Sequence, residues 1–140
     1  MHVSEDAYII SVLLGDGGSG GALALCIADT VVALEHATLS VIAPKACANI
    51  LWKDSSKELE AAAILKMQAS DLVEIGIVDK TIQEPEGGAH TDPVIMSDVI
   101  QRHLSKEIRY YMNVAVTKKL KKRHRKYNNI RHQYYNPKSI

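Results

Sequence analysis

Apolar residues change their spacing several times along this chain, and each change marks an element. Tyr8 to Leu14 is an almost unbroken apolar run with three β-branched residues, the pattern of a strand covered on both faces. Gly15 to Gly21 then holds five glycines in seven residues, before Ala22 to Ala28 resumes helix-forming sequence. Two short β-rich runs follow, Thr30 to Leu34 and Thr38 to Ile42, with Glu35-His36-Ala37 as a bend or strand edge between them. Pro44, at a first helical position, opens a short helix over Lys45 to Leu51. Asp54, Ser55 and Ser56 offer caps for a helix over Lys57 to Met67, with Leu59, Ala62, Ala63 and Lys66 at helical spacing. Ser70 caps Asp71 to Ile75, and Gly76 ends it. Ile77 to Ile82 is the last extended segment, Glu84 to His90 a glycine-bearing turn, and Asp92-Pro93 the start of a long helix running toward Met112. No internal repeat is evident.

Composition narrows the class. The 140 residues contain no Phe, so the expected core is mostly aliphatic, with six Tyr and Trp52 as the aromatic reserve. Trp52 is expected in the core or at a subunit interface. Cys26 and Cys47 lack metal-ligand spacing and are expected as reduced core thiols of a cytoplasmic protein. No apolar run approaches the roughly 20 residues that span a bilayer, and the start is polar and acidic, unlike a signal peptide. The formal net charge of +1 conceals a split: residues 1–116 carry −8 and residues 117–140 carry +9. We therefore divide the chain into a polar leader at 1–7, a body at 8–116 and a basic tail at 117–140. The end of the tail, from Asn128 on, is expected to be disordered. Nine positive charges among tyrosines can serve a nucleic-acid binder, or the end of a helix docking on acidic surface in a complex, which is the favoured reading.

The chemistry concentrates in the glycine stretch. A strand, a glycine turn and a helix start leave the backbone N–H groups of Gly20 and Gly21 at the positive end of a helix, able to hold a phosphate or a developing oxyanion. Gly15 to Gly20 also satisfies G-x-G-x-x-G, with Glu35 spaced for a ribose hydroxyl, so a Rossmann-like dinucleotide fragment is the alternative. Against it stands a helix of about two turns, short for a crossover on a parallel sheet. Glu35 and His36 are adjacent in an extended segment and point to opposite faces, which favours structural roles for both. His90 is expected to anchor its loop by hydrogen bonding.

Taken in order, the glycine stretch to Leu25, Leu34-Glu35-His36, Ser40-Val41-Ile42-Ala43-Pro44, Ile50-Leu51-Trp52-Lys53-Asp54 and Glu84-Pro85-Glu86-Gly87-Gly88-Ala89-His90 resemble the carboxyltransferase alpha subunit of bacterial acetyl-CoA carboxylase. The resemblance covers roughly residues 8 to 112 and concerns the carboxy-terminal half of that subunit. It implies an α/β fold of the crotonase (ClpP/crotonase) type, here partial, with stacked strand–helix units and a protruding carboxy-terminal helix. It implies transfer of a carboxyl group from carboxybiotin on a carrier protein to acetyl-CoA, giving malonyl-CoA for fatty-acid synthesis. Gly20 and Gly21 would donate to the biotin ureido oxygen, with Gly17, Gly18 and Ser19 binding substrate and no metal in this chain. The implied partners are a zinc-bearing beta subunit in an α2β2 heterotetramer, a biotin carboxyl carrier protein and an ATP-consuming biotin carboxylase. A truncated or split subunit is the corresponding expectation. Two departures stand out. Where the family has Ser-Pro-Glu-Gly, this chain has Ala43-Pro44-Lys45-Ala46: Lys45 opposes the helix dipole, and Ala46 is barred from conformations open to glycine. Asp16 replaces a usual Glu, a milder change.

Overall fold

The computed structural model describes residues 7–134, with side chains described through residue 130. The leader expected at residues 1–7 lies outside this range except for Ala7. Five short strands and six α-helices follow one another among the described residues: β1 (Ile10–Leu13), β2 (Asp16–Gly18), α1 (Ser19–Cys26), β3 (Thr30–Leu34), β4 (Thr38–Ser40), α2 (Pro44–Trp52), α3 (Glu58–Leu65), α4 (Ala69–Glu74), β5 (Lys80–Ile82), α5 (Pro93–Met112) and α6 (Val116–Tyr134). All strand pairs are parallel. One sheet has the order β1-β3-β5, and β2 pairs with β4 in a second, two-stranded sheet.

The central strand explains the apolar pattern. All five residues of β3 are buried, because strands flank it on both edges and other elements cover both faces. Around it pack Leu13, Leu39, Leu72, Val78, Ile82 and Met96, the aliphatic core that a chain without Phe requires. Tyr111 is the aromatic buried among the described residues, stacked on Tyr8 with ring centroids 3.6 Å apart. Trp52 is half-buried, with the Lys57 ammonium 5.7 Å from its ring centroid.

Two aspartates fasten the strand ends in the same way. Asp29, just before β3, donates its N–H to the Ile9 carbonyl and accepts the Ile9 N–H on Oδ2 at 2.8 Å. Asp79, just before β5, donates to the Val31 carbonyl and accepts the Val31 N–H at 2.8 Å. Each carboxylate thus closes a ring with the neighbouring parallel strand. The same two groups anchor α6. Arg123 grips Asp29 with two nitrogens at 2.5 and 2.6 Å, the Asp29 side chain being only 3% exposed, and Lys126 reaches Asp79 at 2.5 Å. Three residues apart, these cations lie on one helix face. Tyr127, beside them, donates to the carbonyls of Cys26 and Ala28.

Several expectations change. The carboxy-terminal helix does not simply protrude: Arg123 and Lys126 of α6 hold it to Asp29 and Asp79 of its own body. Helix continues past Asn128 to Tyr134, where disorder was expected, because those anchors fix the face it needs; the remainder of that expectation, at residues 135–140, lies outside the described residues. The helix over Lys57 to Met67 is shorter and turned. A 3-10 turn at Ser55–Lys57, capped by Asp54, precedes α3, which buries Ala61 and leaves Leu59 85% exposed. Ser70 is not the cap of α4; Gln68 occupies that position without a side-chain bond. Ala46 lies inside α2 and is not among the residues with positive φ, so the missing glycine causes no strain there. The caps at Pro44, Gly76 (φ 78°) and Asp92, whose carboxylate accepts the Ile95 N–H at 2.9 Å, stand as expected. Among the described residues, no helix is long and apolar enough to cross a membrane.

Removing Arg123 strands a buried carboxylate, so Arg123→Ala is expected to cost about 3–5 kcal/mol in urea denaturation, against well under 1 kcal/mol for an exposed pair such as Arg102–Asp98. Burial pushes the Tyr127 phenol up to about 12. The neutral phenol is the donating form, so its contribution is complete below an unfolded pKa of about 10 and is lost as pH rises toward 12. Tyr127→Phe is expected to cost roughly 1–3 kcal/mol at neutral pH and to flatten that alkaline decline, read from melts between pH 8 and 12.

Candidate active site

The glycine stretch does not run straight from strand to helix. Gly15 ends the first run, and Asp16 to Gly18 form β2, a strand hidden from sequence reasoning because glycine and aspartate are poor strand formers. Pairing with β4 makes it: Asp16, Gly17 and Gly18 lie opposite Thr38, Leu39 and Ser40, and the Thr38 hydroxyl donates to Asp16 Oδ1 at 2.5 Å. A Cβ on Gly17 would stand 2.6 Å from the buried Leu39 Cδ1. This position therefore admits only glycine without repacking.

Gly18 is extended (φ −134°, ψ 154°) and acts as the N-cap of α1 with no side-chain bond to the helix start. Ser19 follows with φ 55°, a left-handed conformation that costs about 1–2 kcal/mol for a residue with a Cβ. The first amides of α1, including Gly20 and Gly21, have no intrahelical acceptor. Both glycines are exposed, and a Cβ on either would meet no atom within 4 Å. Beside them opens a hollow of about 610 Å³, lined by Asp16, Gly18 and Ser19 on one side and by Thr38, Ser40, Ile42, Ala43, Pro44 and Met67 on the other. Gly18 and Ser19 line it directly. Gly17 packs beneath them, and Gly20 and Gly21 sit on the adjoining turn of α1. This backbone can bind a negatively charged oxygen without a titrating group.

The residues weighed for side-chain chemistry are structural. The Glu35 carboxylate accepts the Glu84 N–H at 3.4 Å, and the His36 N–H donates to Glu84 at 2.9 Å, which leaves Glu35 tied to protein rather than set toward a ribose. Glu84 is the residue that sequence reasoning missed. Its carboxylate also accepts the Ala89 N–H at 2.6 Å, so Glu84, not His90, anchors the glycine loop to the corner that leads into β4. Partial desolvation raises the Glu84 pKa, yet the His36 and Ala89 amides outweigh it and hold the carboxyl below the usual range. The signal was available: Glu84 precedes Pro85 and two glycines, a turn whose amides need an acceptor. Cys26 and Cys47 are free, half-buried thiols.

Comparison with known proteins places this geometry. The acetyl co-enzyme A carboxylase carboxyltransferase-like family matches residues 2–131, nearly the whole chain. The chain belongs to this family. It is 45% identical over 122 residues to the acetyl-coenzyme A carboxylase carboxyl transferase subunit alpha of Clostridium perfringens (strain ATCC 13124), covering 87% of this chain and 45% of that one. The subunit of the same name from Chlamydia pneumoniae is 43% identical over 122 residues, covering 87% of this chain and 38% of that one. The chain thus spans less than half the length of these curated relatives. Among solved structures, a Pseudomonas malonate decarboxylase hetero-tetramer in complex with coenzyme A matches with a TM-score of 0.50 and 20% identity, covering 57% of this chain and 33% of that chain. That likeness concerns the fold: parallel strand–helix units of the crotonase type.

Two substitutions separate packing from chemistry in this family member. Gly17→Ala is expected to lower stability by about 1–3 kcal/mol, since Leu39 must move. Gly20→Ala is expected to leave stability unchanged or raise it by up to about 1 kcal/mol, because alanine favours helix and meets open space. Thermal melts of the two variants check the contrast.

Proposed function

We propose that this chain is a carboxyltransferase component of acetyl-CoA carboxylase, contributing the site at which a carboxyl group passes from carboxybiotin to acetyl-CoA to give malonyl-CoA for fatty-acid synthesis. The observation that carries the reading is the uncapped start of α1 beside an open hollow, in a chain of this family. Biotin on its carrier protein supplies a ureido group that carries the carboxyl and leaves with negative charge on its oxygen. The donors such a group needs are backbone N–H groups about 2.7–3.1 Å from the oxygen. Gly20 and Gly21 are assigned that role. Their bare Cα positions leave room for a bulky bicyclic group, and Gly17, Gly18 and Ser19 shape the substrate wall, Gly17 by admitting Leu39 beneath the turn.

The substrate is acetyl-CoA, whose enolate oxygen needs a second set of donors. We assign these to a beta subunit carrying zinc, within an α2β2 heterotetramer. The biotin carboxyl carrier protein delivers the carboxyl group, and a separate biotin carboxylase consumes ATP to load it. The setting is the cytoplasm. Because the chain covers under half of its relatives, the complete α surface includes segments outside the match.

The test is reconstitution. Mixed with the unmatched remainder of the Clostridium perfringens subunit, a beta subunit, carboxybiotin on its carrier protein and acetyl-CoA, the chain is expected to restore malonyl-CoA formation, with free biotin on the carrier as the other product. Gly20→Pro keeps a helix start, where proline is tolerated, but deletes the donor, and is expected to lower the rate on the order of 100-fold or more. A folded chain that yields no malonyl-CoA in the complete mixture overturns the proposal.

A further inference from the structure

The glycine turn follows the ends of the strands; a second group of charged side chains gathers at their starts. Here Thr30 opens β3, Asp79 and Lys80 lead into β5, and α5 and α6 pack beside them. Between these elements lies a hollow of about 260 Å³, lined by Asp79, Lys80, Lys106, Glu107 and Lys122 with Tyr110 beside them. Lys106 and Tyr110 are one turn apart on α5 and share a face, and Lys122 is brought in by α6 once the chain has turned after Asn113.

The charges of this hollow are not all matched. Asp79 accepts the Val31 N–H at 2.8 Å and the Lys126 ammonium at 2.5 Å, and the Glu107 carboxylate is paired with Lys80. Both acids are thereby committed. Lys106 and Lys122 form no ion pair with a carboxylate among the described residues. Lys122 donates instead to the Tyr111 phenol, and its ammonium stands 5.1 Å from that ring's centroid. Desolvation pulls the Lys122 pKa down, yet the Tyr111 bond and the nearby Asp79 charge outweigh it and hold the group above the usual lysine range, so it stays charged. The last carbonyls of α5 supply no counter-charge, since those of Tyr110 and Tyr111 accept the Asn113 and Val114 N–H groups. Two like charges lining one partly desolvated hollow repel, and a bound anion relieves that repulsion.

We propose that this hollow binds a phosphate group, with the Lys106 and Lys122 ammonium groups as its charged donors and the Tyr110 hydroxyl as a neutral one. Two unmatched positive charges suit a group that carries close to two negative charges near neutral pH, as phosphate does and a single carboxylate does not. Lysine serves such a group as a point charge. The volume is small for a whole cofactor and sufficient for a phosphate with part of what it is attached to. Two sources share this chemistry, inorganic phosphate and a nucleotide. A nucleotide would also use the ring of Tyr110, which is 60% exposed and offers a face on which a base can stack. The inference does not rest on the carboxyl-transfer reading, and its test reads binding, not turnover.

The experiment is calorimetric titration of the full chain with inorganic phosphate, AMP and adenosine, at neutral pH and constant ionic strength. The expected result is saturable binding of phosphate or AMP at one site per chain, with a Kd of about 1 mM or tighter. Lys106→Ala and Lys122→Met are each expected to weaken it about tenfold or more, whereas Arg125→Ala, an exposed cation of α6 outside the hollow, changes it less than about twofold. AMP binding several-fold tighter than phosphate, with the difference lost in Tyr110→Ala, supports the proposal with a nucleotide as the source; equal affinities support it with free phosphate. The proposal is overturned if neither anion saturates the chain by about 10 mM, if adenosine binds as well as AMP, or if Arg125→Ala weakens binding as much as Lys106→Ala does. Lys106 is exposed, so should Lys122→Met unfold the chain through Tyr111, the Lys106→Ala titration decides.

Discussion

A carboxylate placed just ahead of a parallel strand is the constraint on which the remainder of this structure depends. Asp29 and Asp79 each bond the amide of the neighbouring strand, which sets the register of β1 on β3 and of β3 on β5. Neither charge is left to water alone: Asp29 is buried against Arg123, and Lys126 caps Asp79. A buried carboxylate without such a partner is costly, so the sheet ends and the last helix are mutually required. The acidic body and basic tail, which cancel in the net charge, meet here as individual bonds.

From that frame the candidate site follows by geometry. Ordered strands β1 and β3 place Leu13 and Leu34 in the core, and the chain leaves each of them toward the same end of the sheet. There β2 and β4 form a second parallel pair, and the glycines of β2 let Leu39 come close beneath the turn. The outcome is an exposed helix start beside a hollow, supported from below by aliphatic packing and from the side by Asp16–Thr38. Glu84 belongs to the same support: by holding His36 and Ala89 it fixes the corner through which β3 continues into β4. The surface proposed to be functional consists of backbone, and the side chains around it hold that backbone in place. Mutational sensitivity there should track geometry more than acidity.

The large exposed side chains also have a physical meaning. Leu14, Leu23, Val41, Ile64 and Met112 are all more than half exposed, which is uncommon for a chain meant to stand alone. The curated relatives are more than twice as long as the stretch they share with this chain, and such residues offer apolar surface that further chain or a partner of the proposed complex could cover.

Much of this was legible in the residues themselves. Local chemistry determined the caps at Pro44, Asp92 and Gly76, the buried run of β3 and the helix after the glycines, because each depends on neighbours within a few positions. The motifs determined the family as well, since their order along the chain carries that information. Three things waited for the tertiary structure. Strand β2 exists only through its partner β4. The face of α3 is chosen by what packs on Ala61, which no local spacing reveals. The fate of the basic tail was decided by Asp29 and Asp79, 94 and 47 residues away from the cations that bind them, and no pattern of charge within the tail could name those partners.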